Sequence, residues 1–218
     1  MEVMTFLPIL LKGVVVTIQI TAAASVVAIV LAFVAGLARL SSNRAIRWLA
    51  VGYVELFRGT SLLLQLFWMF FVLPNFGLRL DPFPVAVLVL GLNIGAYGSE
   101  IVRGAIVAVP ASQVEAAIAL NMSASLRMRR IIVPQALVTM LLPWGNLLII
   151  LLKSTALVSL ITLQDLTFQA YNLNVLTFRT WELYSLTLVM YFVMAQAIAL
   201  AVAFLYRRLS SGMIRGWM

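Results

Sequence analysis

The chain has 218 residues, 64% of them apolar and only 10% charged, whereas an average soluble domain carries roughly a quarter charged residues. A water-facing globule of this length needs more polar surface than these few ionisable side chains supply, so lipid must be the solvent for much of the chain. The absence of Cys and His excludes thiol nucleophiles, disulfides, metal sites built on soft ligands and imidazole acid/base chemistry. No Gly is followed by Lys, so a P-loop for nucleoside triphosphate is also missing.

The first apolar run, Val14 to Ala38, is free of charge and exceeds the roughly 20 residues that cross a bilayer. It is too long for a signal-peptide h-region, and no basic n-region precedes it, so it is read as the first span. A second run from Trp48 to Leu73 holds Glu55 and Arg58 and ends at the turn-rich Pro74-Asn75-Phe76-Gly77. The third covers Phe83 to Val109, with Glu100 and Arg103 in its later half. The fourth, Ile131 to Leu163, is too long for one upright helix and must break, either at Pro143 and Gly145 or at Lys153-Ser154-Thr155. Irregular backbone at membrane depth is tolerated only where protein or a water-filled cavity satisfies it, so that break points to a lined cavity. A mixed stretch from Gln164 to Glu182 precedes the fifth span, Leu183 to Leu205.

The basic residues are distributed unequally over the two sides. Arg39, Arg44, Arg47, Arg127, Arg129, Arg130, Arg207, Arg208 and Arg215 fall on one side, against Lys12, Arg79 and Arg179 on the other. The positive-inside rule then places the N-terminus outside and the C-terminus inside. The net charge of +8 is a topology signal, and nucleic-acid binding is not expected.

The loop after the third span, from Val109 to Ser123, reads as a short capped helix. Pro110 suits a first turn, Ser112 and Glu115 have capping-box spacing, and Asn121 can take the left-handed conformation that ends a helix. Ser123 can then start a second short helix leading through Arg127 to Pro134. On physics alone the loop is either a connector or a docking knob.

Glu115-Ala116-Ala117, followed by Ile131-Ile132-Val133-Pro134, resembles the cytoplasmic EAA loop of ABC importer permeases. Two positions depart from that pattern: Asn121 stands for the family's glycine and Val133 for the leucine before its proline. Further along the chain, Glu55-Leu56-Phe57-Arg58-Gly59-Thr60-Ser61-Leu62-Leu63 resembles a signature of the polar amino-acid (histidine/glutamine/arginine permease-like) family, with Ser61 replacing a proline. Ala96-Tyr97, Glu100 to Gly104, Gln113, Pro134-Gln135-Ala136 and Lys153 to Ser159 continue the likeness, which covers roughly residues 10 to 208. The run from Thr155 to Ile161 with Asp165 to Phe168 resembles the ectoine/hydroxyectoine members.

The resemblance implies an all-α polytopic protein of five transmembrane helices in the bacterial cytoplasmic (inner) membrane. Residues 1–218 would form one permease domain, with residues 110–130 as its coupling loop. It implies a second permease subunit (the same chain or a homologue), two ATP-binding subunits, an extracytoplasmic solute-binding protein and membrane lipid as partners. It also implies no cofactor, metal or catalytic residue in this chain, since ATP hydrolysis belongs to a partner. Glu115, Ala116, Ala117, Asn121 and Pro134 would couple to the ATPase. The rival readings are an ATP-independent secondary transporter or channel, which no internal repeat supports, and an intramembrane enzyme, for which catalytic groups are lacking.

Charges within spans cost about 2.5 to 3.5 kcal/mol or more each near the helix centre unless paired or wet. Glu55 and Arg58 are three residues apart, as are Glu100 and Arg103, so each pair can neutralise itself on one helix face. Both pairs fall in the cytoplasmic half and are either structural ion pairs or a gate. Lys153 has no acid within four residues: it either snorkels to the interface or lines the pathway with Ser154, Thr155 and Ser159, where it would suit a solute carboxylate. Gly91, Gly95 and Ser99 share a face suited to close helix packing, within or between subunits.

Overall fold

A computed structural model describes residues 3–214, with side chains from Phe6 to Ser210. Arg215, counted above among the basic-side arginines, lies outside the described residues. No strand occurs among them. Four helical segments are long and apolar enough to cross a membrane, and a bent helix pair supplies a fifth candidate.

The first span, α1 (Val3–Ala38), is apolar all round, as a lipid-embedded helix should be. Its buried stripe is nonetheless specific: Ile20, Ala24, Ala28 and Ala32 recur at helical spacing and face α4 (Pro82–Val107). Lipid is as apolar as leucine, so helices associate there through close packing, and small residues permit it. A Cβ on Gly91 would stand 2.7 Å from Val27 Cβ, and one on Gly95 would stand 2.9 Å from Leu31 Cβ. The Gly91/Gly95 face therefore packs within the subunit, onto α1. On the return side, Gly36 of α1 meets Val102 and the Ser99 carbonyl.

The second apolar run is not one straight helix. It divides into α2 (Arg44–Gly59) and a second limb beginning with α3 (Leu62–Phe67), which continues as a π turn and a 3-10 turn to Phe76; the limbs meet at 102°. Asn43 caps α2 through Ala45 N–H. The carbonyls freed at the bend are taken up by two amides. Gln65 donates to Phe57 O at 3.0 Å and to Thr60 Oγ1 at 2.7 Å, and Asn93 of α4 donates to Phe57 O at 2.9 Å. The bend is thus a satisfied break at span depth, of the kind membrane proteins allow only with such partners.

The connecting helices α5 (Ala111–Ala119) and α6 (Ala124–Arg127) lead through a π turn into α7 (Val133–Ser154). Contrary to the expectation of a bend at Pro143 and Gly145, α7 runs through both. Gly145 instead admits Val202 of α9 (Thr180–Ile214), whose Cγ1 would be 2.6 Å from an added Cβ. The overlong fourth run breaks at its polar interruption. The α-helix ends at Ser154, a 3-10 segment carries Thr155 to Ile161, and Thr162 stops it in the left-handed conformation (φ 66°). Helix α8 (Leu166–Thr177) then occupies most of the mixed stretch that precedes the fifth span.

Helix α4 is the hub, with 67% of its apolar window buried, whereas only 6% of the α9 window is covered. The central core joins Ile20 and Ala28 of α1, Val89 and Ile94 of α4, and Leu147 and Leu151 of α7 with Val158 and Ile161 of the 3-10 segment. Helix α9 leans on α7 and α8 and leaves most of its surface open.

Candidate coupling loop and translocation groove

The loop between α4 and α7 forms the knob that the sequence outlines. Its termination matches the expectation: Asn121 is left-handed (φ 58°), Met122 N–H donates to Ala117 O at 3.0 Å, and Asn121 N–H donates to Ile118 O at 2.8 Å. These two bonds form a Schellman motif, with Asn in the position glycine usually fills. Ser123 caps α6 through Leu126 N–H. The N-terminus differs from the expected capping box. Pro110 is the N-cap residue and no side chain caps the helix, so Ser112 sits inside it and makes no cap bond to Glu115.

On the knob, Ala117 turns inward (1% exposed), while Glu115, Ala116, Ile118 (55%) and Leu120 (75%) face outward. Pro134 opens α7 as one of its first two residues, where a missing N–H costs nothing. Beside it, Gln135 Nε2 donates to Gln113 Oε1 of α5 in a short amide contact and also donates to Ile131 O at 3.0 Å. That bridge ties the knob to the start of the fourth span.

Of the two ion pairs that the spacing predicts in the spans, one forms, and it forms within a larger cluster. Glu100 is the centre of one node. It accepts from Arg39 Nη1 at 2.5 Å, Arg58 Nη1 at 3.1 Å and Arg103 Nε at 3.1 Å. The Arg58 guanidinium also lies 5.2 Å from the centre of the Tyr97 ring. The Glu100–Arg103 pair is therefore real, but the Glu55–Arg58 pair is not: Arg58 turns to α4 and Glu55 sits on the exposed face of α2. Arg39, expected as a loop arginine, joins the node from the end of α1.

Lys153 opens onto a groove of about 780 Å³ between α7 and α9, within the size range of small-ligand sites. Its sequence neighbours do not share that groove. Thr155 is fully buried and donates to Leu152 O, and Ser159 donates to Ala156 O, both at 2.7 Å. Ser154 is half-buried and absent from the lining. The lining partners that sequence reading missed come from α9: Tyr184, Thr187, Tyr191 and Gln196. The i, i+3, i+7 spacing of Tyr184, Thr187 and Tyr191 puts these three on one face, a signal present in the fifth span but not read there.

Behind Tyr191 lies a buried knot. Asp165 caps α8 by accepting from Thr167 N–H at 3.2 Å and Phe168 N–H at 2.9 Å, and Tyr191 Oη donates to it at 3.3 Å. Leu166 N–H reaches Thr17 Oγ1 of α1 at 3.2 Å, and Gly13 admits the Leu166 backbone, whose Cα would be 2.7 Å from an added Cβ. Asp165 lies in the connection between the fourth and fifth spans, and burial pushes its carboxyl up to about 6 despite these donors. Between about pH 4 and 6 the folded protein holds a proton that the unfolded chain has lost, so the group's contribution to stability falls as pH rises through that window. A gap of about two pKa units corresponds to about 3 kcal/mol. The melting temperature of wild type should therefore drop more between pH 4.5 and 7 than that of Asp165→Asn, which keeps a cap without the charge; parallel profiles would exclude the effect.

These features define a polytopic helical membrane protein with a lysine-bearing groove beside its bundle and a structured knob at its arginine-rich end. The chain belongs to the family of inner membrane components of binding-protein-dependent transport systems, whose profile matches residues 7–215. It is 47% identical, over 94% of its length and 87% of the relative's, to a probable amino-acid ABC transporter permease of Sinorhizobium fredii. To the glutamine transport system permease of Escherichia coli it is 34% identical, over 95% and 94% of the two chains. Among solved structures it superposes with a TM-score of 0.89 on a chain from the crystal structure of an amino acid ABC transporter with histidines, at 35% identity over 94% of this chain and 96% of that one. A methionine ABC transporter in an inward-facing conformation shares the fold, at TM-score 0.78 and 18% identity.

Proposed function

We propose that this chain is the membrane-spanning permease subunit of an ATP-driven importer for an amino acid or amino-acid-like solute, an ectoine-type zwitterion included. The observation that carries the reading is whole-length likeness to amino-acid permeases in both sequence and fold. Residues 1–218 are one transmembrane domain, the N-terminus lies outside and the C-terminus inside, and residues 110–130 form the coupling loop. The loop arginines support that orientation.

The chain pairs with a second permease subunit, receives solute from an extracytoplasmic binding protein, and seats its knob on one of the assembly's two ATP-binding subunits. Exposed Ile118 and Leu120 beside Glu115 support the knob as a docking surface, since such apolar side chains on a water-side loop ask for a partner. Asn121 fixes the helix end, Ala117 anchors it from within, Ala116 lies on the docking face, and Pro134 starts the span that the knob moves through the Gln113–Gln135 bridge. Motion of the ATPase subunits would then tilt α7 and its neighbours between inward-open and outward-open arrangements, a local push read out by a bistable bundle. In this reading Glu100, with Arg39, Arg58 and Arg103, braces α1, α2 and α4 near the coupling end, and Lys153 lines the pathway. The buried Thr155 and the helix-bonded Ser159 shape the break that places Lys153, next to Ser154. An ATP-independent transporter would not retain an ATPase subunit. Detergent-solubilised chain co-expressed with an ATP-binding subunit from the same organism's amino-acid importers is expected to retain that subunit through affinity purification and gel filtration; purification of the permease alone with every such subunit would overturn the reading.

A further inference from the structure

The groove between α7 and α9 carries a charge pattern that goes beyond an undifferentiated pathway. On α9 from Tyr184 to Leu205, the polar side chains are Tyr184, Ser185, Thr187, Tyr191 and Gln196, and all except Ser185 line the groove. Lys153 faces them from α7 and is the only charged residue in the lining. Lys153 and Gln196 are exposed and sit within segments long and apolar enough to span. An ammonium and an amide left facing hydrocarbon would be costly, so the face that carries both must meet water or a polar occupant. Tyr191 is held in place by Asp165 and by Thr167 Oγ1, 3.0 Å from its hydroxyl, which presents its ring to the groove in a fixed orientation.

We propose that this groove binds an amino-acid solute by its α-carboxylate on Lys153, and that it selects neutral or acidic amino acids against those with cationic side chains. The proposal rests on the importer reading above. A carboxylate on an ammonium forms a strong charge-assisted bond. The solute's amino group is met by the Tyr184 hydroxyl and by the ring faces of Tyr184, Tyr191 and Phe192. A second positive charge, on a lysine- or arginine-like side chain, would meet Lys153 and find no acid in the lining to offset it.

The test uses the permease purified with its ATPase subunits, nucleotide-free in lipid nanodiscs, with L-glutamine, L-glutamate, L-arginine and L-glutaminamide as probes. Equilibrium binding should show L-glutamine or L-glutamate bound about tenfold or more tightly than both L-arginine and L-glutaminamide, the loss of one charge-assisted bond. Lys153→Met should lower that affinity about tenfold, Lys153→Arg should stay within about threefold of wild type, and Ser185→Ala, outside the groove lining, should match wild type. Arginine binding as tight as glutamine, an amide binding as well as its acid, or no effect of Lys153→Met each overturns the proposal. Binding of none of the probes overturns it too, because the groove is then sealed by the second subunit. Retention of the ATPase in the same preparations reports separately on the importer reading.

Discussion

Replacing Glu115 with arginine is expected to abolish solute-stimulated ATP hydrolysis in the reconstituted complex. The outward face of α5 combines one carboxylate with the exposed Ile118 and Leu120, so a partner groove must accommodate apolar contact around a negative charge. Reversing a charge that is desolvated on docking costs about 2 to 5 kcal/mol, which is about 30-fold or more in occupancy of the docked state. The knob itself should survive the change. Its fold depends on Ala117 packed inward, the Asn121 Schellman closure and the Ser123 cap, none of which uses the Glu115 side chain. The variant should therefore elute with the wild-type profile in gel filtration while losing stimulation. Glu115→Ala, which removes the charge without reversing it, should keep a fraction of the stimulation. Wild-type stimulation in Glu115→Arg would remove α5 from the coupling contact.

How much of this was legible in the sequence depended on whether a feature is local. The left-handed Asn121, the Ser123 cap and the break at Ser154-Thr155 are set by residues within one turn of each other, and the sequence shows all three. The small-residue face of Gly91 and Gly95 is equally readable, because its period is helical; its partner, α1, is not written in the pattern. The bend at Gly59-Thr60-Ser61 escaped although Arg58 and the Gly-Thr-Ser triplet interrupt the apolar run there. Its cause is non-local: Asn93, from the next span, helps to satisfy the opened carbonyls. Pro143 misled in the opposite direction, since a proline inside a span need not break it when neighbouring helices absorb the lost hydrogen bond. The Glu55–Arg58 pair failed for the same reason, whereas Glu100–Arg103 formed. An i,i+3 rule sees only the helix that carries both residues, whereas the node on Glu100 gathers arginines from three helices. The groove beside Lys153 required knowing that α9 lies against α7, and no periodicity supplies that.

Glu100→Gln should be the most damaging single change in the spans to the fold itself. Three guanidinium groups lie at 2.5 to 3.1 Å from its carboxylate oxygens, and the node already carries an excess of positive charge. Removing the one acid leaves like charges facing each other in a partly desolvated site. Breaking such a pair costs about 3 to 5 kcal/mol when fully buried, and the partial exposure of Glu100 (28%) and Arg103 (40%) lowers the expectation to about 2 to 4 kcal/mol. The expected readout is a lower yield of monodisperse protein and a clearly lower melting temperature by fluorescence-detected gel filtration. Adding Arg103→Gln should restore part of the loss, because it removes the most exposed of the three cations and with it the repulsion at least cost in packing. Glu55→Gln is the contrast: Glu55 is exposed and unpaired in the node, so its loss should fall within about 0.5 kcal/mol of wild type. If Glu55→Gln proved as harmful as Glu100→Gln, the self-neutralising Glu55–Arg58 pair would be the correct arrangement and the three-arginine node would not.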